Sequence, residues 1–122
     1  MELKYRNIIS FVWSKNIERS TKFYTEVLGC IVVFESQNWV ELSVPGLTTG
    51  YLAINLDTTN KPLRTNEFIT LGVEDLDRFT AHLEEHKVKV RGDVMEFYEE
   101  GIRMLKFYDP DENIITAAET GI

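Results

Sequence analysis

A chain of 122 residues fits one domain and is long enough to bury a core, and its 43% hydrophobic and 27% charged residues are ordinary for a globular protein in water. Its 20 acidic residues against 13 basic leave a formal charge of −7 without a basic cluster longer than two residues; such a surface repels a phosphate backbone and argues against nucleic-acid binding. The longest apolar run, residues 30–34, is too short to span a membrane, and residues 1–10 lack the apolar stretch of a secretory signal, so the expectation is a cytoplasmic protein with no membrane partner.

Residues 5–13 (YRNIISFVW) read as a strand. Asn16 can cap a helix over residues 17–29, with Ile17, Tyr24, Val27 and Leu28 on one stripe and Gly29 placed to end it. Strand candidates follow at residues 30–36, 38–44 and 50–56. Cys30, the single cysteine, excludes an intramolecular disulfide and reads as a small buried apolar residue. Residues 57–66 (DTTNKPLRTN) are polar and carry a proline, the composition of a linker. Beyond them the order repeats. Residues 67–73 form a strand, and Asp75 can cap a helix over residues 76–86 with Leu76, Phe79 and Leu83 as its apolar stripe. Further strand candidates lie at residues 88–94, 95–100, 101–108 and 113–119. Asn16 and Asp75 are 59 residues apart, and Arg19/Arg78 and Thr21/Thr80 repeat at that offset. A duplicated βαβββ module follows, paired within one α+β domain over residues 1–122: module 1 at about 5–56, the linker, and module 2 at about 67–120.

Two stretches imitate metal sites. In residues 106–119 (KFYDPDENIITAAE), Asp109, Asp111 and Asn113 alternate as the first ligands of a calcium loop do. Such a loop needs a glycine at its sixth position and a bidentate glutamate at its twelfth, and here these are Ile114 and Thr120. The flanks are β-branched and aromatic, so Asp-Pro and its Asx neighbours read as a hairpin turn. His82 to His86 spell H-x-x-E-H, two imidazoles on one helix face, without the wider context a zinc hydrolase requires.

Residues 16–30, 73–90 and 107–115 resemble, in that order, three signatures of the vicinal oxygen chelate superfamily, which includes glyoxalase I, extradiol dioxygenases and bleomycin-resistance binding proteins. Phe23-Tyr24 followed by Leu28-Gly29 matches well, as does Asp109-Pro110-Asp111 followed by Asn113, although members usually have glycine where Glu112 stands. The resemblance implies two curved mixed sheets with helices outside and a concave inner face that serves as the ligand cavity. Enzymes of the superfamily hold a divalent metal there at four positions. Three of them fall on Ile9, Phe68 and Thr116, and the fourth on a strand segment, residues 48–56, without His, Asp, Glu or Gln. Ile and Phe have no lone pair for a metal, and Thr is a poor ligand. The expectation is no metal, no other cofactor and no catalytic residue.

Strand alternation places Val40, Leu42 and Val44 on one face of residues 38–44 and Trp39, Glu41 and Ser43 on the other. If the apolar set faces the helix, Trp39 and Glu41 face the cavity. The resemblance adds Ile9, Phe11, Trp13, Tyr51, Ala53, Asn55, Phe68, Thr70, Tyr108 and Thr116 to the inward set. Rings around a carboxylate suit a flat small molecule with a cationic group, bound without bond chemistry as bleomycin-type resistance proteins do. The enzyme alternative is a lyase, isomerase or dioxygenase, with Glu41 as base in a metal-free version. A third alternative, a structural or regulatory partner protein, fills the cavity with its own rings. The resemblance also implies a homodimer.

Overall fold

Two caps 59 residues apart set the plan of the chain. In the computed structural model, which describes residues 2–120, Asn16 and Asp75 take extended backbone, at φ/ψ of −141°/96° and −139°/99°. Each side chain accepts a hydrogen bond at 3.0 Å from the N–H three residues on, of Arg19 and Arg78. One orphan N–H at each helix start is thereby satisfied. Thr21 and Thr80 then donate back to the carbonyls of Ile17 and Leu76, at 2.6 and 2.7 Å.

The chain divides into two compact units, Met1–Arg64 and Thr65–Ile122. The first contains β1 (Ile8–Ser14), α1 (Ile17–Lys22) continuing as a π-helical turn (Phe23–Val27), β2 (Ile31–Glu35), β3 (Trp39–Ser43) and β4 (Gly50–Leu56). The second contains β5 (Ile69–Gly72), α2 (Leu76–Glu85), β6 (Val90–Phe97), β7 (Ile102–Tyr108) and β8 (Ile114–Glu119). Their sheets run β1-β4-β3-β2 and β5-β8-β7-β6. In each, the outer pair is parallel (β1 with β4, β5 with β8) and the remaining pairs are antiparallel. The fold is α+β, two βαβββ modules with open four-stranded mixed sheets.

Two details differ from the sequence expectation. Residues 88–94 and 95–100, read as separate strands, form the single strand β6, whose register shifts between Arg91 and Met95. Gly92 supplies the positive φ of 74° inside this bulge, and so the second module keeps the same strand count as the first. The β2 bulge between Val32 and Phe34 stands at the equivalent place. The first helix, expected over residues 17–29, keeps α geometry only to Lys22. Thr25 donates to the Thr21 and Lys22 carbonyls there, and back-bonding of this kind loosens a helix into a wider turn. Gly29, at φ 75°, then closes the element by donating its N–H to Thr25.

Each helix covers one face of its own sheet: α1 packs on β3 and β4, and α2 on β7 and β8. Beneath the first helix lie Val12, Val40, Leu42, Leu52 and Ile54, all buried together with Tyr24. Ser20, which the apolar stripe did not include, is also fully buried. Cys30 is buried, and burial pushes its thiol up to about 11, so it packs as an inert apolar residue. In the second unit Leu76, Leu83, Leu105, Phe107, Ile115 and Ala117 form the core, and Phe79 meets Phe107 with ring centroids 5.7 Å apart. Arg103 braces the start of α2, bonding Asp77 at 2.9 Å and standing 3.9 Å from Glu119, which itself accepts the Leu76 N–H at 2.7 Å. Hydrogen bonding to Asp77, with three carboxylates nearby, raises the Arg103 pKa further. Among the described residues no helix is long and apolar enough to cross a membrane.

Candidate functional site

In a sheet, residues directly opposite across strands share a face. Trp39 pairs with Asn55 and Asn55 with Trp13; Glu41 pairs with Ala53 and Ala53 with Phe11; Ser43 pairs with Tyr51 and Tyr51 with Ile9. Three rows therefore lie across β3, β4 and β1 on the face opposite α1, as alternation from Trp39 and Glu41 predicts. The rings meet: Phe11 stands edge-on to Trp13 with centroids 5.7 Å apart, and tilted to Trp39 at 5.9 Å. Trp39 donates its indole Nε1–H to Glu41 Oε1 at 3.0 Å, which fixes both side chains. Trp39, Glu41, Tyr51 and Asn55 are half-buried, whereas Phe11 remains 41% exposed. Glu41 has no ion-pair partner among the described residues.

Phe34 belongs to the same face and escaped the sequence reading. The β2 bulge brings it opposite Glu41, and it is 53% exposed. Simple alternation along β2 carries no signal of that shift.

The other named residues lie in the second unit. Thr116 pairs with Thr70 and Lys106 on the face away from α2, and Tyr108 pairs with Ile114 on that same face. Thr116 is buried, and Tyr108 is half-buried with Lys89 Nζ 4.8 Å from its ring centroid. Phe68 directly precedes β5 and is 83% exposed. These three share no row with the rings of the first unit.

The residues at the superfamily's metal positions do not fit a divalent cation. Ile9 and Phe68 offer hydrocarbon, and Thr116 has the Lys106 ammonium-bearing side chain as its register neighbour. Among the described residues, no three His, Cys, Asp or Glu side chains gather where a metal could be held. The Asp-Pro turn is closed internally. Asp109 Oδ1 accepts from the N–H of Asp111 and of Asn113, and Oδ2 from Asn113 Nδ2, each at 2.9 Å. Glu112 takes the left-handed backbone at φ 67°, a conformation that glycine adopts without strain. On α2, the His82 and His86 rings lie 4.4 Å apart and His86 Nδ1 is 3.2 Å from the His82 carbonyl.

Beyond the Trp13 end of the ring face, residues 57–61 form a structured loop. Lys15 Nζ holds it, reaching Asp57 Oδ2 at 3.0 Å and the Thr59 and Lys61 carbonyls at 2.7 and 2.9 Å. Asp57 Oδ1 accepts from the Thr59 hydroxyl at 2.7 Å and N–H at 2.9 Å. Those Thr59 bonds, with Lys15, lower the Asp57 pKa from 3.8 to about 2.

Residues 8–116 match the family model of the Glyoxalase/Bleomycin resistance protein/Dioxygenase superfamily. The chain belongs to this superfamily. Among solved structures it is similar to a superfamily member from Sphaerobacter thermophilus DSM 20745, at TM-score 0.81 and 24% identity over 96% of this chain and 98% of that one. Integron Cassette Protein HFX_CASS4, from the mobile metagenome of a Halifax Harbour sewage outfall, aligns at TM-score 0.78 and 26% identity over 93% and 97% of the two chains. TnmS3, an antibiotic binding protein from Streptomyces sp. CB03234, aligns at TM-score 0.77 and 23% identity over 99% of each chain. No curated protein matches the chain. The superfamily fold thus carries here a sheet face on which Ile9, at a metal position that the resemblance implies, offers hydrocarbon and shares its face with rings.

Proposed function

We propose that this superfamily member captures a flat, cationic small molecule on the ring-lined face of its first unit, without bond chemistry. The observation that carries the reading is the contact of Phe11 with Trp13 and Trp39 beside a carboxylate that Trp39 itself orients. Half-exposed rings offer π-faces for stacking, and ring faces and Glu41 both favour positive charge. Since no protein cation pairs with Glu41 among the described residues, its charge is left for a ligand. TnmS3 is an antibiotic binding protein, which supplies a precedent for capture on this fold; at 23% identity the likeness is one of fold. Antibiotic sequestration, as in bleomycin-type resistance, is the role this chemistry suits.

The test is titration with bleomycin and with a planar acridinium cation, followed by intrinsic fluorescence from Trp13 and Trp39, the two tryptophans of the chain. Trp39→Ala weakens binding by roughly 1–3 kcal/mol, the scale for losing a stacked anchor. Glu41→Gln weakens cations more than neutral analogues of the same shape, and added salt narrows that gap. If neither compound binds and both indoles resist aqueous quenchers, the rings are core and the proposal fails. Turnover of a substrate that Glu41→Gln abolishes while affinity is retained would instead make Glu41 a base.

A further inference from the structure

The loop that Lys15 pins down encloses a hollow of about 520 Å³ within the first unit, lined by Trp13, Leu56, Asp57, Lys61, Pro62 and Arg64, with Thr58 and Thr59. Its size falls in the span of about 300–1,000 Å³ usual for small-molecule sites. Its charge is opposite to that of the chain. Asp57 is the one acid on the wall, and both of its oxygens are engaged, Oδ2 by Lys15 and Oδ1 by Thr59. Lys61 and Arg64 have no side-chain hydrogen bond or ion pair among the described residues. Two uncommitted cations thus face a hollow whose carboxylate is already neutralised, on a protein with a net charge of −7. The remaining wall is apolar: the Trp13 indole, Leu56 and Pro62.

We infer that this hollow binds a small aromatic acid, its ring against Trp13 and its carboxylate held by Arg64 and Lys61. A planar guanidinium presents paired N–H donors that match the two oxygens of a carboxylate, and an ammonium adds a point charge beside them. Trp13 and Pro62 give the ring an apolar surface on which to lie. The requirement differs from that of the Trp39/Glu41 rows, where the protein contributes the negative charge. The site goes beyond the capture proposed above, and the two share only the Trp13 ring.

The experiment uses the full chain and a matched pair of probes, naphthalene-2-carboxylate and its neutral amide 2-naphthamide. Calorimetry gives the affinities, and the indole N–H resonances of Trp13 and Trp39 report the location. The acid binds more tightly than the amide and moves the Trp13 resonance more than that of Trp39. Arg64→Gln and Lys61→Gln each weaken the acid by about fivefold, the upper end for a solvent-exposed ion pair. Arg64→Lys recovers part of the loss, and the double Gln variant erases the preference for acid over amide. Both positions are exposed, so the variants retain the fold, which the unfolding midpoint checks. Equal binding of acid and amide, acid binding indifferent to both Gln substitutions, or an unmoved Trp13 resonance overturns the inference. A chain that takes the acridinium cation but shows no acid preference loses this site and keeps the ring-face reading. One that takes the acid through Arg64 but no cation does the reverse.

Discussion

Asp109→Ala removes an acceptor that three donors share. The carboxylate is buried, and it receives the N–H groups of Asp111 and Asn113 and the Asn113 side-chain amide, each at 2.9 Å. Asn113 in turn accepts the Asn66 N–H at 3.0 Å, while the Asn66 carbonyl takes the Ile114 N–H at 2.8 Å where β8 begins. A hydrogen bond to a charged acceptor contributes about 1.5–3 kcal/mol net, and a donor left unsatisfied in the interior costs about 1–3 kcal/mol. The three bonds share one acceptor and are not additive, and water can enter a turn at the end of a strand. About 3–5 kcal/mol is therefore the expected loss, a large part of the 5–15 kcal/mol typical of a whole domain. Asp109→Asn, which keeps one acceptor oxygen without the charge, should lose about half as much. Urea unfolding followed by circular dichroism measures both. An alanine variant within about 1 kcal/mol of the parent would refute the reasoning, because it would mean that the carboxylate is not the knot of the turn. Calcium should leave the midpoint unchanged, since both Asp109 oxygens and Asn113 Oδ1 are already engaged within the turn.

Other consequences can be measured on the same protein. Glu112→Gly should raise stability by about 0.5–1 kcal/mol, because it relieves a left-handed side-chain-bearing residue and sacrifices only the exposed 4.0 Å pair with Lys89; a destabilised variant would count against strain there. Changing His82 and His86 together to Ala should leave ligand capture unaltered and stability within about 0.5 kcal/mol, and a loss of binding would mean that α2 carries a real site. Because Asp57 is held at about 2, its loop anchor is fully present above the ordinary value of 3.8 and is lost only as pH falls toward 2; a carboxyl carbon titration with its midpoint near 3.8 would show that the Thr59 and Lys15 contacts do not persist in solution. We propose that the protein is a homodimer, given that each sheet ends on edge strands and that Ile8 on β1 is 81% exposed; sedimentation showing monomer alone at micromolar concentration would exclude it.

What the sequence revealed was whatever repeats by local rule. Asn16 and Asp75 were legible as caps because a short polar side chain before an apolar-periodic stretch has few other reasons to recur at a fixed offset. The rows of rings were legible because a strand with one covered face must alternate, and Val40 and Leu42 mark the covered face of β3. The bulges were not. Phe34 reaches the row of Glu41 only because β2 shifts register after Val32, and one glycine at residue 92 merges what read as two strands. The Lys61/Arg64 hollow was hidden for a different reason. Residues 57–66 have the composition of a linker, and residues 57–61 are tied down by a cation 42 residues before Asp57, Lys15, whose three contacts with Asp57, Thr59 and Lys61 no local pattern announces.

Comparison of the two units separates scaffold from chemistry. Each has a cap at the same offset, a threonine bonded back to the first helical carbonyl, a bulge in the strand after the helix, and a parallel outer pair. Those features serve the helix-covered face, where both units need the same thing, an apolar layer with satisfied helix ends. The faces away from the helices have no such common requirement, and their residues differ. Across the first run Trp39–Asn55–Trp13 and Glu41–Ala53–Phe11; across the second run Lys106–Thr116–Thr70 and Met104–Ala118–Gly72. Duplication alone would have made these rows alike. That difference supports the proposed capture on the first unit, which carries the aromatic contacts, the oriented carboxylate and the cationic hollow.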